Sequence, residues 1–368
     1  MVNKKLVIAS DSFKGTLSSL DICKLFKDRF PHSICVPIAD GGEGSLDAIS
    51  NLLEGRFVEV EVTDLYFKKM KAKFFIDKNN NAYIESASCV GLHLAHKNND
   101  PGQVTTYGIG EQIIEAIKQG SKNICIFLGG IASNDGGCGL ASALGVKFFN
   151  EDNELFTPTG LTLKYIDYID TFFADELLKD VHITALCDVK SPFYGEEGAA
   201  YKFAKQKGAS DEEIKVLDEG LRYLSYMIKG DVGIDVSNVS GGGAAGGLGG
   251  GLFAFANAKI SSGIKTLLDL IEFDNVIKDA DYVISGEGKL DEQTLDGKVI
   301  DGVAKRCLKQ NKPLILIVGI SEMTLEEVQK IYPCVVQIYE TNDKHLPFDN
   351  IKNTAKEDYS RVLEQLKL

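Results

Sequence analysis

The sequence has no apolar run approaching the roughly 20 residues that a membrane-spanning helix needs. Near its start the only apolar stretch is the short Leu6–Ala9. A signal peptide requires a longer apolar core and a small-residue cleavage site. The opening MVNKKLVIASDSFKG is therefore expected to be a first β-strand in a cytoplasmic protein. A basic excess is also missing, since 40 Lys and Arg face 53 Asp and Glu for a net charge of −13. Nucleic acid and anionic membranes both select basic surfaces, so neither is expected as a partner. A small anionic substrate stays compatible, because a site needs only a local positive potential. The eight cysteines form no C-x-x-C pair and mostly sit in apolar runs such as NICIFLGG and CVVQIY. They are expected to be buried, reduced thiols. The five histidines do not cluster with them, which argues against a structural zinc site. Nothing matches the phosphate-binding pattern G-x-x-x-x-G-K-[ST], and the HRD and DFG elements of protein kinases are absent.

What is present is an alternation of strand and helix patterns. Residues 4–9 read as a strand, SSLDICKLFKDRF as a helix, 33–38 as a second strand and SLDAISNLL as a second helix. Ser18 followed by Asp21 suits a capping box at the first helix start. DYVISGEG, PLILIVG and CVVQIYE near the C-terminus repeat the strand pattern between helices. This is the βαβα order of a doubly wound parallel sheet. The middle differs: 57–63, 71–76 and 82–86 suggest a small antiparallel sheet, NICIFLGG and 181–187 further strands, and 210–229 a helix. The glycine-rich run 241–251 is not expected to form an ordinary helix interior. With 368 residues the chain is long enough for two domains. The fold class expected is α/β, with a discontinuous domain of residues 1–65 plus 281–368 and a second α/β domain, 66–280, inserted into it.

Polar, glycine-rich stretches follow the predicted strands: DSFKG (11–15), ADGGEG (39–44), GGIASNDGGCG (129–139), CDVKSPFYGEEGAA (187–200) and SGEGKLD (285–291). Ligand loops of open α/β sheets lie at such strand ends, and glycine-rich backbone amides bind phosphate or carboxylate. Lys14 and Lys289 can neutralise phosphate or carboxylate charge. Asp40, Glu43, Asp135, Asp188, Glu287 and Asp291 are hard oxygen ligands or bases, and Mg2+ needs only one or two carboxylates beside substrate phosphates. Phosphoryl transfer needs little more: positioning, a metal, positive charge and a base near the attacking hydroxyl. We take Lys14 as a catalytic cation and Asp188 and Asp291 as rival bases. Asp40, Glu43 and Glu287 are the metal candidates. Ser12, Asn134, Asp135 and Lys289 are candidates for substrate contact. Gly241, Gly242, Gly243, Gly246, Gly247, Gly286 and Gly288 are candidates for holding a nucleotide. Lys207 in QKGA reads as a surface lysine.

DSFKGTLS, PIADGGEGSLDAI, TTYGIGEQI, LGGIASNDGGCGLASALG, CDVKSPFYGEEGAAYKFAKQKGA, GGGAAGGLGGGL and SGEGKLDEQTLDGK resemble the bacterial type I glycerate kinase family, in that family's order. The resemblance spans about residues 5–320. It implies two α/β domains, one flavodoxin-like and one inserted, with ATP, Mg2+ and D-glycerate as ligands. The 2-hydroxyl is then the expected acceptor. Ile131, Asp188-Val189-Lys190-Ser191-Pro192-Phe193 and Lys289 depart from the family's SATNDGG, DVxNPL and GEGRLD. Lys289 keeps the charge of that arginine but loses its two-pronged geometry. A kinase of another small hydroxy acid, or a metabolite sensor without turnover, are the alternatives. A homo-oligomer is left open.

Overall fold

The computed structural model describes residues 4–13, 15–38, 44–291, 294 and 298–368. The chain divides into two compact units. The first comprises Met1–Asp40, Asp47–Leu53 and Ser262–Leu368, and the second Gly41–Leu46 and Glu54–Ser261.

The first unit is built on a five-stranded sheet of Leu6–Ile8, Ile34–Cys35, Tyr282–Ser285, Leu314–Val318 and Val335–Glu340. Every neighbouring pair is parallel. Numbered in chain order among themselves, the strands stand 2-1-3-4-5, the flavodoxin-like order. The inner strands Leu6–Ile8 and Leu314–Val318 are continuous apolar runs buried throughout, as strands covered on both faces must be. Helix Ser19–Arg29 starts where Ser18 Oγ accepts from the Asp21 amide at 3.1 Å and the Asp21 carboxylate accepts from the Ser18 amide. This capping box is worth about 1 kcal/mol. The helix buries Ile22 and Phe26 in a core with Leu6, Ile8, Ile315 and Tyr359, and each such side chain contributes roughly 1.5–3 kcal/mol.

The second unit carries a six-stranded mixed sheet in the order Lys259–Ser261, His182–Leu186, Asn123–Phe127, Ala82–Glu85, Lys69–Asp77, Gly55–Thr63. The first four are parallel and the last three antiparallel. The antiparallel strands expected as a separate small sheet are thus one wing of a larger one, joined through Ala82–Glu85, which is buried along its length. A further three-stranded sheet, Lys147–Phe149, Leu155–Phe156 and Tyr168–Asp170, goes beyond the sequence expectation. Its strands are too short for a period-2 pattern to register. Helix Asp211–Met227 opens with a second capping box, Ser210 with Glu213, and buries Leu217, Leu221 and Leu224.

The unit boundaries differ from residues 65 and 281. The nine-residue strand Gly55–Thr63 pairs with Lys69–Asp77 over its whole length, which places it in the second unit. Residues 262–280 go with the first, because the side chain of Ile264 lies against Gly302 and Gln310 Nε2 donates to the Asp274 carbonyl at 2.7 Å.

The glycine-rich run also departs from expectation. Residues Leu248–Phe255 are an α-helix containing Gly249, Gly250 and Gly251. A Cβ at these positions would lie 2.3 Å from the Gly241 carbonyl oxygen, 2.4 Å from the Phe193 ring and 2.3 Å from the Gly136 carbonyl oxygen, respectively. Glycine costs about 1 kcal/mol of helix propensity per residue. Here that cost is offset by backbone contact that no side chain would allow.

Candidate active site

In the first unit the chain reverses direction across the sheet between Leu6–Ile8 and Tyr282–Ser285, the place where open α/β sheets bind ligands. The two strand ends are stitched together. Ser285 Oγ donates to the Ala9 carbonyl at 2.7 Å, Ser10 Oγ to the Gly286 carbonyl at 3.0 Å, and the Asp11 amide to the same carbonyl at 2.9 Å. A Cβ on Gly286 would lie 1.7 Å from the Ile317 carbonyl oxygen, so only glycine lets this turn pass against the neighbouring strand Leu314–Val318. The Ser12 amide donates to the Asp11 carboxylate at 2.7 Å, leaving the Ser12 side chain half-buried beside the reversal. Glu287 follows, 5% exposed, its carbonyl accepting from the Gly319 amide. The Gly288 carbonyl accepts from the Ile320 amide.

Lys289 and Asp291 come next. Lys289–Leu290 pairs with Ile320–Ser321 as a short parallel ladder. The Lys289 ammonium lies 2.9 Å from Glu322 and 3.3 Å from Asp291, and these carboxylates raise its pKa, Glu322 first. Burial pushes Asp291 up, but the Thr294 amide and the ammoniums of Lys289 and Lys298 together hold it below the usual carboxylate range. Asp291 is an anion in a tight turn with Thr294. Both side chains line an open cleft of about 650 Å³ with Glu322, Glu327 and Lys330. Lys14, Asp40 and Glu43 lie outside the described residues.

In the second unit the loops after Asn123–Phe127 and His182–Leu186 carry Asn134, Asp135 and Asp188. Asn134 is fully buried, and neither atom of its side-chain amide has a partner in the chain. Ser133 Oγ is in the same state. Asp135 is occupied differently. Its carboxylate accepts from the Thr106 amide and hydroxyl at 2.8 Å and from the amides of Gly137 and Gly139 at 3.2 Å. Burial nevertheless pushes its pKa up. That set of donors holds together the starts of helices Tyr107–Lys118 and Cys138–Leu144, giving Asp135 a structural task. Asp188 stands half-buried at the end of its strand, next to Cys187, whose thiol donates to the Val189 carbonyl.

The glycine run packs onto both loops. A Cβ on Gly246 would lie 2.1 Å from the Ser133 carbonyl oxygen, and one on Gly243 2.2 Å from that of Pro192. A Cβ on Gly247 would come within 2.9 Å of Gly136 Cα, and one on Gly241 within 3.3 Å of the Val189 carbonyl oxygen. The amides of Gly242, Gly243 and Gly247 donate to the carbonyls of Val239, Ser191 and Gly243. These three amides are engaged within the chain, and at Gly241, Gly243, Gly246 and Gly247 the close approach of neighbouring backbone favours glycine.

Two polar groups stand out only in the folded chain. Lys207 is not on the surface but 4% exposed, its ammonium donating to the Ser133 carbonyl at 2.7 Å. Burial pushes its pKa down to about 8 against the opposing pull of Asp135. Glu85, 8% exposed at the end of Ala82–Glu85, accepts from the amides of Gly44 and Leu46 at 3.0 and 3.3 Å. Its sequence signal is an acid closing a predicted strand, the criterion that marks the other loops. The structure thus gathers Ser12, Gly286, Glu287, Gly288, Lys289 and Asp291 in the first unit, and Asn134, Asp135, Asp188 and the glycine run in the second. Among the described residues no trio of Asp, Glu, His or Cys forms a ready metal site. A Mg2+ held mainly by phosphates needs only one or two carboxylates, and Glu287 at the strand end fits that requirement. No helix among the described residues is long and apolar enough to cross a membrane.

Strand-end loops, an acid-rich site and a flavodoxin-like sheet agree with the sequence matches. The model of the glycerate kinase family fits residues 6–367. The chain belongs to the glycerate kinase family. It is 41% identical over 323 residues to a glycerate kinase of Bacillus cereus, covering 86% of this chain and 85% of that one. It is 39% identical over 323 residues to the glycerate 2-kinase of Escherichia coli, at 86% and 85% coverage. A crystal structure described as glycerate kinase 2 from Salmonella typhimurium LT2 superposes with a TM-score of 0.82 at 34% identity, covering 99% of this chain and 100% of the other.

Proposed function

We propose that this member of the glycerate kinase family moves the γ-phosphoryl group of ATP to the 2-hydroxyl of D-glycerate, giving 2-phosphoglycerate and ADP in the cytoplasm. The observation that carries this is the concentration of acids, a lysine and backbone turns at the carboxyl ends of parallel strands, including the strand reversal beside Gly286. The glycerate 2-kinase relative supports the choice of hydroxyl.

In this reading the bond formed joins the 2-oxygen of glycerate to phosphorus, and the bond broken joins that phosphorus to the β,γ-bridging oxygen. The hydroxyl proton leaves to a carboxylate, with Asp188 and Asp291 the two candidates. Lys14 offsets charge on the transferring group, and Ser12 and Lys289 in the first unit and Asn134 in the second are the candidate contacts to the hydroxy acid. Glu287, with Asp40 and Glu43, would hold Mg2+, which supplies charge neutralisation at the phosphates when bound.

Phosphorus NMR of the product tests the reading directly. A phosphate on the 2-position couples to one carbon-bound proton and gives a doublet; one on the 3-position couples to two and gives a triplet. A doublet is expected. A triplet would reassign the acceptor hydroxyl. No ADP release with any small hydroxy acid would leave the chain as a binding protein.

A further inference from the structure

We propose that the cavity bounded by Phe13, Gly288, Phe348 and Ala355 in the first unit holds the purine ring of the nucleotide donor. The assignment rests on the donor being a nucleotide, as proposed above. The cavity lies at the carboxyl ends of four strands of the flavodoxin-like sheet. Phe13 and Leu17 come from the loop after Leu6–Ile8, and Gly288 from that after Tyr282–Ser285. Gly319 follows Leu314–Val318, and Thr341 follows Val335–Glu340. Its walls therefore span the strand reversal where α/β sheets take their ligands.

Size and charge select the part of the ligand. The cavity opens to solvent and has a volume of about 100 Å³, far below the several hundred Å³ that a whole drug-sized molecule fills, so it admits a ring-sized part of a ligand with its edge left in solvent. Among the described lining residues there is no Lys or Arg, so a triphosphate finds no counter-charge there. Among the described lining residues the one acidic side chain, Asp358, is already engaged by Arg361 at 3.2 Å and by the Thr354 hydroxyl at 2.8 Å. A neutral planar ring suits these walls and a phosphate does not.

Two glycines shape the cavity. A Cβ on Gly319 would lie 2.2 Å from the Gly288 carbonyl oxygen, so the two strand-end turns touch backbone to backbone. A Cβ on Gly15, which has a φ of +79°, would lie 2.7 Å from the Phe348 ring. The ring therefore rests directly on the first loop, while the residue as a whole stays 49% exposed. Such a half-open aromatic wall is available for stacking.

Two further polar side chains of the lining, Thr16 and Asn342, are engaged within the chain. Thr16 Oγ1 donates to the Phe13 carbonyl at 2.7 Å. The Asn342 side chain donates to the Leu346 carbonyl at 3.0 Å and accepts from the Leu346 amide at 2.9 Å. The ring would thus be held by shape and stacking, with few hydrogen bonds to its edge. A site without such hydrogen bonds discriminates weakly between rings of one shape. GTP should therefore serve within about tenfold of ATP in kcat/KM, and inorganic tripolyphosphate should fail as a donor.

The experiment is calorimetric titration of the full chain with Mg-ADP, for the wild type and two variants. Ala355→Phe fills the cavity and is expected to weaken ADP binding about tenfold or more, with KM for glycerate within twofold of wild type. Phe348→Ala removes the exposed ring and is expected to weaken binding several-fold, in line with the loss of one stacking partner. If circular dichroism shows Ala355→Phe unfolded, Phe348→Ala and the GTP comparison decide. No ADP binding by the wild type would overturn the nucleotide donor itself. Wild-type binding that neither variant weakens, or a preference for ATP over GTP above a hundredfold, would overturn the purine assignment alone.

Discussion

The Lys207 ammonium donates to the Ser133 carbonyl oxygen at 2.7 Å, from a side chain that is 4% exposed. Burial lowers its pKa to about 8, while an unfolded lysine titrates near 10.5. Between those values the unfolded chain binds the proton and the folded chain does not. Stability therefore rises with pH across that window, and the ionised form is the strained one below about pH 8. In Lys207→Met this contribution vanishes. The melting temperature of the wild type, taken relative to Lys207→Met, should climb between pH 8 and pH 10 as measured by circular dichroism. A pH-independent difference would show that the lysine titrates normally.

The glycine-rich helix predicts an inversion of ordinary helix propensity. Gly→Ala within a helix usually stabilises by up to about 1 kcal/mol. At Gly251 the new methyl carbon would lie 2.3 Å from the Gly136 carbonyl oxygen. Gly251→Ala should therefore destabilise by about 1–3 kcal/mol through overpacking. Gly230, in the helical segment Ile228–Val232, has no neighbouring atom within 4 Å of the place its methyl would take. Gly230→Ala should be neutral or slightly stabilising. Urea denaturation of both variants checks the contrast, and equal effects would contradict it.

Much of the fold is legible in the sequence because its signals are local. Apolar runs such as LILIV and capping pairs such as Ser18 with Asp21 each act within a few residues, and the structure bears them out. The glycine run misleads for the opposite reason. Its helix exists because Phe193, Gly136 and Gly241, outside the helix in sequence, press against it, and propensity carries no trace of that contact. The burial of Lys207 is hidden likewise. Nothing in QKGA shows that Asn99 donates to the Lys207 backbone carbonyl at 2.9 Å and that Ser133 offers its own to the ammonium. Asp135 stands out from its loop, but its four donors from Thr106, Gly137 and Gly139 are a tertiary fact.

Asn134 separates a structural role from a binding one. Its amide is buried without a partner in the chain, a state that costs roughly 1–3 kcal/mol. Replacing it by the near-isosteric leucine removes that burden. Asn134→Leu should hold or raise the melting temperature and yet lose at least about tenfold in kcat/KM, with the loss mainly in KM for the hydroxy acid. Retained activity in a folded Asn134→Leu protein would remove Asn134 from the substrate contacts.

The two aspartates that compete for the role of base differ in setting, and this makes them separable. Asp291 is drawn below the usual carboxylate range by the Thr294 amide and the nearby lysines, although burial opposes this. Its ammonium partner Lys289 is shared with Glu322. Asp291→Asn removes one of the two anions facing Lys289, so nucleotide or substrate binding should change along with turnover, and the effect should shrink in high salt. Asp188 sits at the end of His182–Leu186, with the glycine run packed along its loop. Asp188→Asn keeps the shape and removes only the ability to take a proton. If Asp188 is the base, its variant loses about 10²–10⁴-fold in kcat with KM nearly unchanged, while Asp291→Asn moves KM more than kcat. Steady-state kinetics of the two variants at low and high ionic strength distinguishes these patterns, and the reverse result would exchange their roles.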